Sequence, residues 1–132
     1  MAVIDMPFNR LRAAVLALGI TLGGLAVTAT PAMANDGTCG SGDLCLSEHT
    51  SHGGGQWDVF GAVMNYDSGE RWWGTTQSIN DQASSARNKR STAYGICENS
   101  WGRGSCVYIG GNFEIKNLSD YEMNDKASSN IW

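Results

Sequence analysis

Several signals that would assign a common function are missing from this chain. Beyond residue 34, no window shows sustained apolar residues at helical spacing, so helices are not expected to build the fold. The nine lysines and arginines are outnumbered by 13 acidic residues and form no basic stripe. We therefore expect binding neither to nucleic acid nor to an anionic membrane.

Histidine is equally scarce. His49 and His52 are the two present, and zinc needs three or four preorganised ligands, so we interpret them as exposed hairpin residues rather than a zinc site. The serines show no histidine-based partner pattern, and no catalytic pair of carboxylates can be picked out. The sequence thus predicts that the protein is not an enzyme and has no catalytic residues.

The first 34 residues have the pattern of a secretory signal peptide. Arg10 and Arg12 precede an apolar run over residues 13–27, and small residues at Ala32 and Ala34 offer a cleavage site. The run is interrupted by glycines and is shorter than the roughly 20 residues that a spanning helix needs. We predict cleavage after Ala34, a secreted (extracellular) protein without a membrane anchor, and one mature domain, 35–132, with 7 basic and 12 acidic residues.

All four cysteines (Cys39, Cys45, Cys97 and Cys106) fall in this mature domain. An even number in a small exported chain indicates disulfides rather than a zinc site. Three pairings are possible, and we favour Cys39–Cys45 with Cys97–Cys106 because each pair spans a short segment that a tight loop can close. In the chain-entropy model, each such bridge stabilises the fold by about 2–3 kcal/mol.

Short β-prone runs separated by glycine-bearing turns predict an all-β domain. The runs cover residues 44–46, 57–60, 71–73, 93–97, 106–109 and 113–115.

The tryptophans leave two interpretations open. Trp57, Trp72, Trp73 and Trp101 could form a carbohydrate platform, although aromatic side chains of a small β domain more often lie in its core. Adjacent residues of a strand point to opposite faces, so one of Trp72 and Trp73 could be exposed.

The most informative feature is a repeated string. Residues 80–85 (Asn-Asp-Gln-Ala-Ser-Ser) return as residues 124–129 (Asn-Asp-Lys-Ala-Ser-Ser), with five of six positions identical. The hairpins that precede the strings also correspond, at an offset of 50 residues, which pairs Gly54 with Gly104 as positions of positive φ. A repeated string indicates a repeated unit, and two such four-stranded units predict a two-motif Greek-key β-sandwich with motifs 39–90 and 91–132.

The residue types of the string point to a ligand. Carboxylate, amide, hydroxyl and carbonyl oxygens, with no sulfur or imidazole, are the donors that Ca²⁺ prefers. The competing interpretation is that Asn, Asp and Ser only satisfy the backbone of turns by local hydrogen bonds.

The strings, each preceded by a hairpin with a glycine shortly after an acidic residue, resemble the calcium-binding signature of microbial βγ-crystallin domains. The exported segment with Cys39, residues 44–50 and Gly53-Gly54 is also similar to the exported bacterial peptidase inhibitor family, whose type member inhibits metalloproteinases on the same fold. The resemblance covers essentially all of residues 35–132. It implies a βγ-crystallin-type sandwich holding two Ca²⁺ ions side by side, with ligands exchanged between the strings.

Carried over residue by residue, the resemblance implies a ligand set made only of oxygen donors. Ser85 and Ser129 are expected to hydrogen-bond the loops instead of touching metal. The implied donors are the side chains of Asp81, Asp125, Ser84 and Ser128 and the backbone carbonyls of Gln82, Lys126, Glu48 and Glu98.

Two functions follow as expectations. One is a monomeric calcium-binding module whose fold is stabilised by the metal. The alternative is an inhibitor of secreted metalloproteinases that presents a disulfide-bounded loop, unless that segment is an ordinary hairpin turn; the loop consists of Asn99, Ser100, Trp101, Gly102 and Arg103. A small secreted toxin or antifungal protein on the same fold is a third, weaker interpretation.

Overall fold

The structure, a computed structural model, describes residues 35–132. The signal peptide predicted for residues 1–34 lies outside the described residues. Within the described part, no helix has the length and apolar character needed to cross a membrane. Seven strands are present: β1 Leu44–Ser47, β2 Gln56–Val59, β3 Ser85–Asn88, β4 Tyr94–Asn99, β5 Arg103–Ile109, β6 Glu114–Ile115 and β7 Ser129–Ile131. Short 3-10 turns cover Thr50–His52, Tyr66–Ser68, Ser100–Gly102 and Leu118–Tyr121.

The strands form two antiparallel sheets, with the orders β2-β1-β3-β6 and β5-β4-β7. Strand β6 leaves the second motif to pair with β3 of the first, where Ala86 lies opposite Ile115. In the second sheet, an isolated bridge pairs Val63 of the first motif with Asn130 in β7 of the second motif. Each motif therefore contributes to both sheets, and the predicted all-β Greek-key sandwich is confirmed.

One predicted strand is wrong. Residues 71–73 form no strand, and Arg71 makes only an isolated bridge with Ser78. The chain from Asn65 to Asn80 is eight residues longer than its counterpart from Asn117 to Asn124. This insertion forms a loop that carries Trp72 into the core, while Trp73 remains 55% exposed. The third strand of the first motif is reduced to the bridge at Val63 instead.

The core lies between the two sheets and is rich in aromatic side chains. Trp57 and Tyr66 are fully buried and pack edge to face, with ring centroids 5.1 Å apart. The Tyr66 hydroxyl donates to Oδ1 of the buried Asn130 (3.0 Å), and burial raises the pKa of Tyr66 well above its usual value. The hydroxyl of Tyr66 and the amide oxygen of Asn130, both buried, thus satisfy each other in the core.

Strand β1 is buried at all four positions, which a half-exposed strand would not show. The outer face of its sheet is covered by the segment before β1. Buried Asp58 accepts hydrogen bonds from the backbone N–H groups of Asp36 and Gly37, both 3.1 Å, and desolvation raises the pKa of its carboxyl group. The segment that precedes β1 is therefore a covering segment over the outer face of β1 and β2.

Both expected disulfides are present. Cys39–Cys45 ties the covering segment to β1, with Cα atoms 5.8 Å apart. Cys97–Cys106 joins directly opposed residues of β4 and β5, with Cα atoms 4.1 Å apart. Each bridge closes a short segment within one motif, as predicted.

Candidate metal centre

The two strings lie side by side and are held by reciprocal backbone hydrogen bonds. The N–H of Asp81 donates to the carbonyl oxygen of Ala127, and the N–H of Asp125 donates to that of Ala83, both at 3.0 Å. Ala83 and Ala127 are completely buried. The apolar position of each string therefore anchors it in the core, while the two strings meet across a pseudo-twofold axis.

The aspartates of the strings adopt an uncommon backbone conformation. Asp81 and Asp125 both have φ of 54°, a left-handed conformation that Asp and Asn tolerate better than other non-glycine residues. The preceding asparagine orients each carboxylate, since Asn80 Nδ2 donates to Asp81 Oδ2 (3.1 Å) and Asn124 Nδ2 to Asp125 Oδ2 (2.9 Å). The Asn-Asp pair of the string thus fixes an exposed carboxylate on a tight turn.

Each string is fastened to the first strand of its own motif. The N–H of Ser84 donates to the carbonyl oxygen of Ser47 (2.9 Å), and the N–H of Ser128 donates to that of Cys97 (2.8 Å). Glu48 directly follows the end of β1, and Glu98 is the next residue of β4. Each glutamate thus directly follows a residue that is hydrogen-bonded to a string. A role of the glutamate backbone carbonyls as metal ligands would require this closeness.

The last serine of each string hydrogen-bonds the hairpin, as expected. Ser129 Oγ donates to the carbonyl oxygen of Asn99 (2.7 Å) and accepts from the N–H of Gly102 (3.1 Å). Ser85 Oγ makes the equivalent bonds to the carbonyl oxygen of His49 (2.6 Å) and the N–H of His52 (3.0 Å). These hydroxyls therefore hold the hairpin turns in place.

The hairpin glycines also behave as predicted. Gly54 and Gly104 have φ of 71° and 75°. A Cβ atom at Gly54 would lie 2.6 Å from the ring of His49, and one at Gly104 would lie 2.6 Å from Asn99 Nδ2. Glycine is thus required at both positions for conformation and for space.

Five of the eight predicted ligand residues converge at one place. Four of them line a concave pocket together with Asn99: Asp81, Glu98, Asp125 and Lys126. Ser128 joins this group because its Oγ donates to Asp81 Oδ1 (3.0 Å). The other three, Gln82, Ser84 and Glu48, do not line this pocket. The Glu48 side chain is engaged elsewhere, where its Oε2 accepts from the N–H of Gly55 (3.0 Å).

The donor chemistry of this pocket fits a hard cation. Within residues 35–132, no three His, Cys, Asp or Glu side chains are grouped closely enough to hold a metal ion. The set implied by the strings has a different composition, with one carboxylate, one hydroxyl and backbone carbonyls for each ion. Oxygen-only sets of this kind suit Ca²⁺ and do not suit zinc.

The two histidines do not share a site. The ring of His49 packs over Gly54, whereas His52 Nε2 lies 3.0 Å from Glu114 Oε2 on β6. The expectation of two exposed histidines is wrong for His52, whose side chain is only 7% exposed. Desolvation, followed by the charge of Arg87, lowers its pKa, an effect that Glu114 opposes.

The segment considered for protease inhibition is a folded hairpin turn. Asn99 ends β4, Ser100–Gly102 form a 3-10 turn, and Arg103 begins β5. Trp101 is 65% exposed and has φ of 64°, and its N–H donates to the carbonyl oxygen of Met64 (2.6 Å). The first motif contains the same turn, so this segment belongs to the fold. Sequence reasoning missed that Asn99 also lines the pocket between the strings.

Comparisons with known proteins agree with this architecture. No family model and no curated protein matches the chain. A structure solved in work on the evolution of the eye-lens βγ-crystallin domain fold is 24% identical, with a TM-score of 0.62, covering 72% of this chain and 91% of that one. A βγ-crystallin from Ciona intestinalis (18% identical, TM-score 0.56) matches 67% of this chain and 96% of its own. An archaeal βγ-crystallin (18%, TM-score 0.54) matches 69% and 96%.

The described domain therefore has the βγ-crystallin fold. These structural neighbours indicate no catalytic family.

The different roles of the string serines can be tested by mutation. Ser129→Ala and Ser85→Ala should each lower the free energy of unfolding by about 1–3 kcal/mol, because both remove a buried hydroxyl and leave two backbone groups unpaired. Urea unfolding in the presence of chelator measures this, with the exposed Ser105→Ala as control. Unchanged stability in chelator, together with weakened calcium binding, would instead identify these hydroxyls as ligands.

Proposed function

We propose that the protein is an exported calcium-binding module in which two Ca²⁺ ions stabilise the βγ-crystallin-type sandwich. The observation that supports this most strongly is the reciprocal pairing of the strings. It brings Asp81, Asp125 and the Ser128 hydroxyl to one pocket, together with the hairpin residue Glu98. Export rests on the signal pattern of residues 1–34.

The pocket supplies the donors for one ion. Asp81 of the first string would face the hydroxyl of Ser128 and the carbonyl oxygens of Lys126 and Glu98. The pseudo-twofold axis would then assign the second ion to the corresponding donors: Asp125, Ser84, Gln82 and Glu48. Each ion would thus be held by residues of both motifs.

Electrostatics favour a cation at this place. Asp81 and Asp125 both line the pocket, and the negative charges of their carboxylates attract a divalent cation. Each site has few formal charges, so the dissociation constant should lie in the range of about 10⁻⁶ to 10⁻³ M. Such affinities are adequate outside the cell, where calcium is plentiful.

Calcium would act on stability by linkage. The ligands come from segments that converge only in the folded state, so binding favours that state. At a free calcium concentration 100-fold above the dissociation constant, each site stabilises the fold by about 2.7 kcal/mol. For a domain of this size, that corresponds to a rise in melting temperature of at least about 10 °C per site.

Calorimetric titration of the purified, oxidised protein with Ca²⁺ should show two sites, and calcium should raise the melting temperature above that in chelator. Asp81→Asn should remove one site and Asp81→Asn with Asp125→Asn should remove both. Asn keeps the left-handed backbone accessible but removes the charge. Asp120→Asn, at an exposed turn, is the matched control. Neither heat nor a shift in the wild type would mean that the strings are structural turns only.

Inhibition of a secreted metalloproteinase is a second candidate function, supported by the exposed Trp101. The turn that presents Trp101 is fixed by the Cys97–Cys106 disulfide and by hydrogen bonds to Met64 and Ser129. A loop that is already rigid loses less conformational entropy on entering a protease cleft. The similarity of the exported segment to the peptidase inhibitor family points to the same target class.

An assay against a thermolysin-like metalloproteinase tests this candidate. Trp101→Ala or Arg103→Ala should weaken inhibition by at least about tenfold, since central aromatic and arginine contacts commonly contribute 2 kcal/mol or more. Tyr108→Ala, an exposed aromatic residue of β5, serves as the control. The candidate is wrong if the wild-type protein at micromolar concentration leaves the protease fully active.

A further inference from the structure

A second pocket lies on the first sheet, where β3 pairs with β6. It has a volume of about 150 Å³ and is lined by Arg87, Asn88, Lys89, Asn112, Phe113 and Glu114. None of these residues belongs to the strings or to the hairpin turns that support them. Pockets for drug-sized ligands measure roughly 300–1,000 Å³, so this pocket suits a single small unit rather than an extended ligand.

The base of the pocket is rigid. Asn88 is completely buried, and its Nδ2 donates to the carbonyl oxygens of Thr92 and Ile109 (both 2.8 Å) and Gly110 (3.1 Å). The Asn88 N–H donates to the carbonyl oxygen of Phe113 (2.9 Å). One buried amide therefore joins the end of β3 to the turn that carries Asn112 and Phe113, and a preformed site loses little entropy on binding.

The turn itself is constrained. Asn112 has φ of 59°, and its N–H donates to the carbonyl oxygen of Arg90 (2.9 Å). A Cβ atom at Gly111 would lie 2.1 Å from the carbonyl oxygen of Ser91, so only glycine permits this close approach of the two segments. The side chains on the turn are thus held at the rim of the pocket.

Positive charge is concentrated here in an otherwise acidic domain. Four of the seven basic residues of residues 35–132 lie on β3 or within two residues of β3 or β6: Arg87, Lys89, Arg90 and Lys116. Lys89 is exposed and forms no ion pair among the described residues. The Arg87 side chain is 41% exposed, and its contact with Glu114 is an ion pair of 3.7 Å that is too long for a hydrogen bond. Two cationic groups of the pocket therefore have unused hydrogen-bonding capacity.

The single acidic wall residue is largely neutralised. Glu114 Oε2 lies 3.0 Å from His52 Nε2 and 3.7 Å from Arg87 Nε, and its Oε1 lies 3.7 Å from Lys116 Nζ. Its oxygens retain lone pairs that can accept from hydroxyl groups. The pocket thus offers net positive charge together with an acceptor for neutral donors.

Phe113 adds an apolar face. Its side chain is 70% exposed, and its ring lies close to Gly110, where a Cβ atom would be 3.6 Å from Phe113 Cδ2. An exposed ring held beside a pocket can cover the apolar face of a flat ligand and bury surface that water would otherwise contact.

We propose that this pocket binds a hexuronate unit of an acidic polysaccharide. Arg87 and Lys89 would pair with the carboxylate, Phe113 would stack on the apolar face of the sugar ring, and Asn112 and Glu114 would bond its hydroxyls. A phosphate group alone is disfavoured, because it would pair with Arg87 and Lys89 but would bring no hydroxyl donor for the Glu114 carboxylate beside them. A single carboxylate matches the small number of cations.

Titration with tri-galacturonic acid, followed by calorimetry and by amide chemical shifts in the presence of chelator, tests the proposal. We expect saturable binding, with shifts at residues 87–89 and 112–114. Lys89→Gln and Phe113→Ala should each weaken binding at least about tenfold, since both remove a direct contact. Arg71→Gln and Tyr108→Ala, which remove a charge and an exposed ring elsewhere, should leave binding unchanged. Both pocket substitutions are at exposed side chains, and unchanged melting temperatures would verify that the fold is retained.

Three results would overturn the proposal. One is the absence of binding by the folded wild-type protein. Another is equal affinity for a neutral galactose trisaccharide, which would show that the carboxylate is not recognised. Equal affinity for a short polyphosphate would likewise show that the sugar is not recognised. The third is an equal loss in the Arg71 and Tyr108 variants, which would place binding outside the pocket. Because chelator is present throughout, none of these results depends on calcium binding by the strings.

Discussion

Two backbone hydrogen bonds between the strings join the two motifs at the proposed metal centre. These bonds run from the N–H of Asp81 to Ala127 and from the N–H of Asp125 to Ala83. The same bonds require a left-handed turn at each aspartate, and that turn points a carboxylate outward while the neighbouring alanine enters the core. The proposed calcium site and the contact between motifs are therefore consequences of one local geometry. In the proposed function, the metal strengthens a contact that the chain already makes.

The rest of the sandwich supports this contact. The exchange of β6 into the first sheet, and of the Val63 bridge into the second, means that neither motif can separate without breaking both sheets. The covering segment and its Cys39–Cys45 bridge close the outer face of β1 and β2. The pocket proposed to bind a uronate depends on a different residue, Asn88, whose buried amide joins β3 to the following turn. The two candidate sites thus have independent structural supports.

Much of the fold could be predicted because the sequence contains the same structural unit twice. The repeated strings, the glycines Gly54 and Gly104, and the spacing of the cysteines depend on local geometry, which leaves a direct trace in residue types. The error at residues 71–73 has a physical cause: a Trp-Trp pair favours a strand, but the longer connection uses Trp72 to fill the core. The bridge at Val63 and the pocket at Asn112 arise from long-range packing, and no local pattern marks such contacts.

The most direct test of the central claim is a crystal structure of the protein grown with calcium and analysed by anomalous scattering. The account predicts two ions, one beside Asp81 and one beside Asp125. Each should have oxygen ligands at about 2.3–2.6 Å, and Ser128 Oγ should coordinate an ion instead of donating to Asp81. Well-defined density for both strings without an ion, with the Ser128–Asp81 hydrogen bond intact at millimolar calcium, would contradict it.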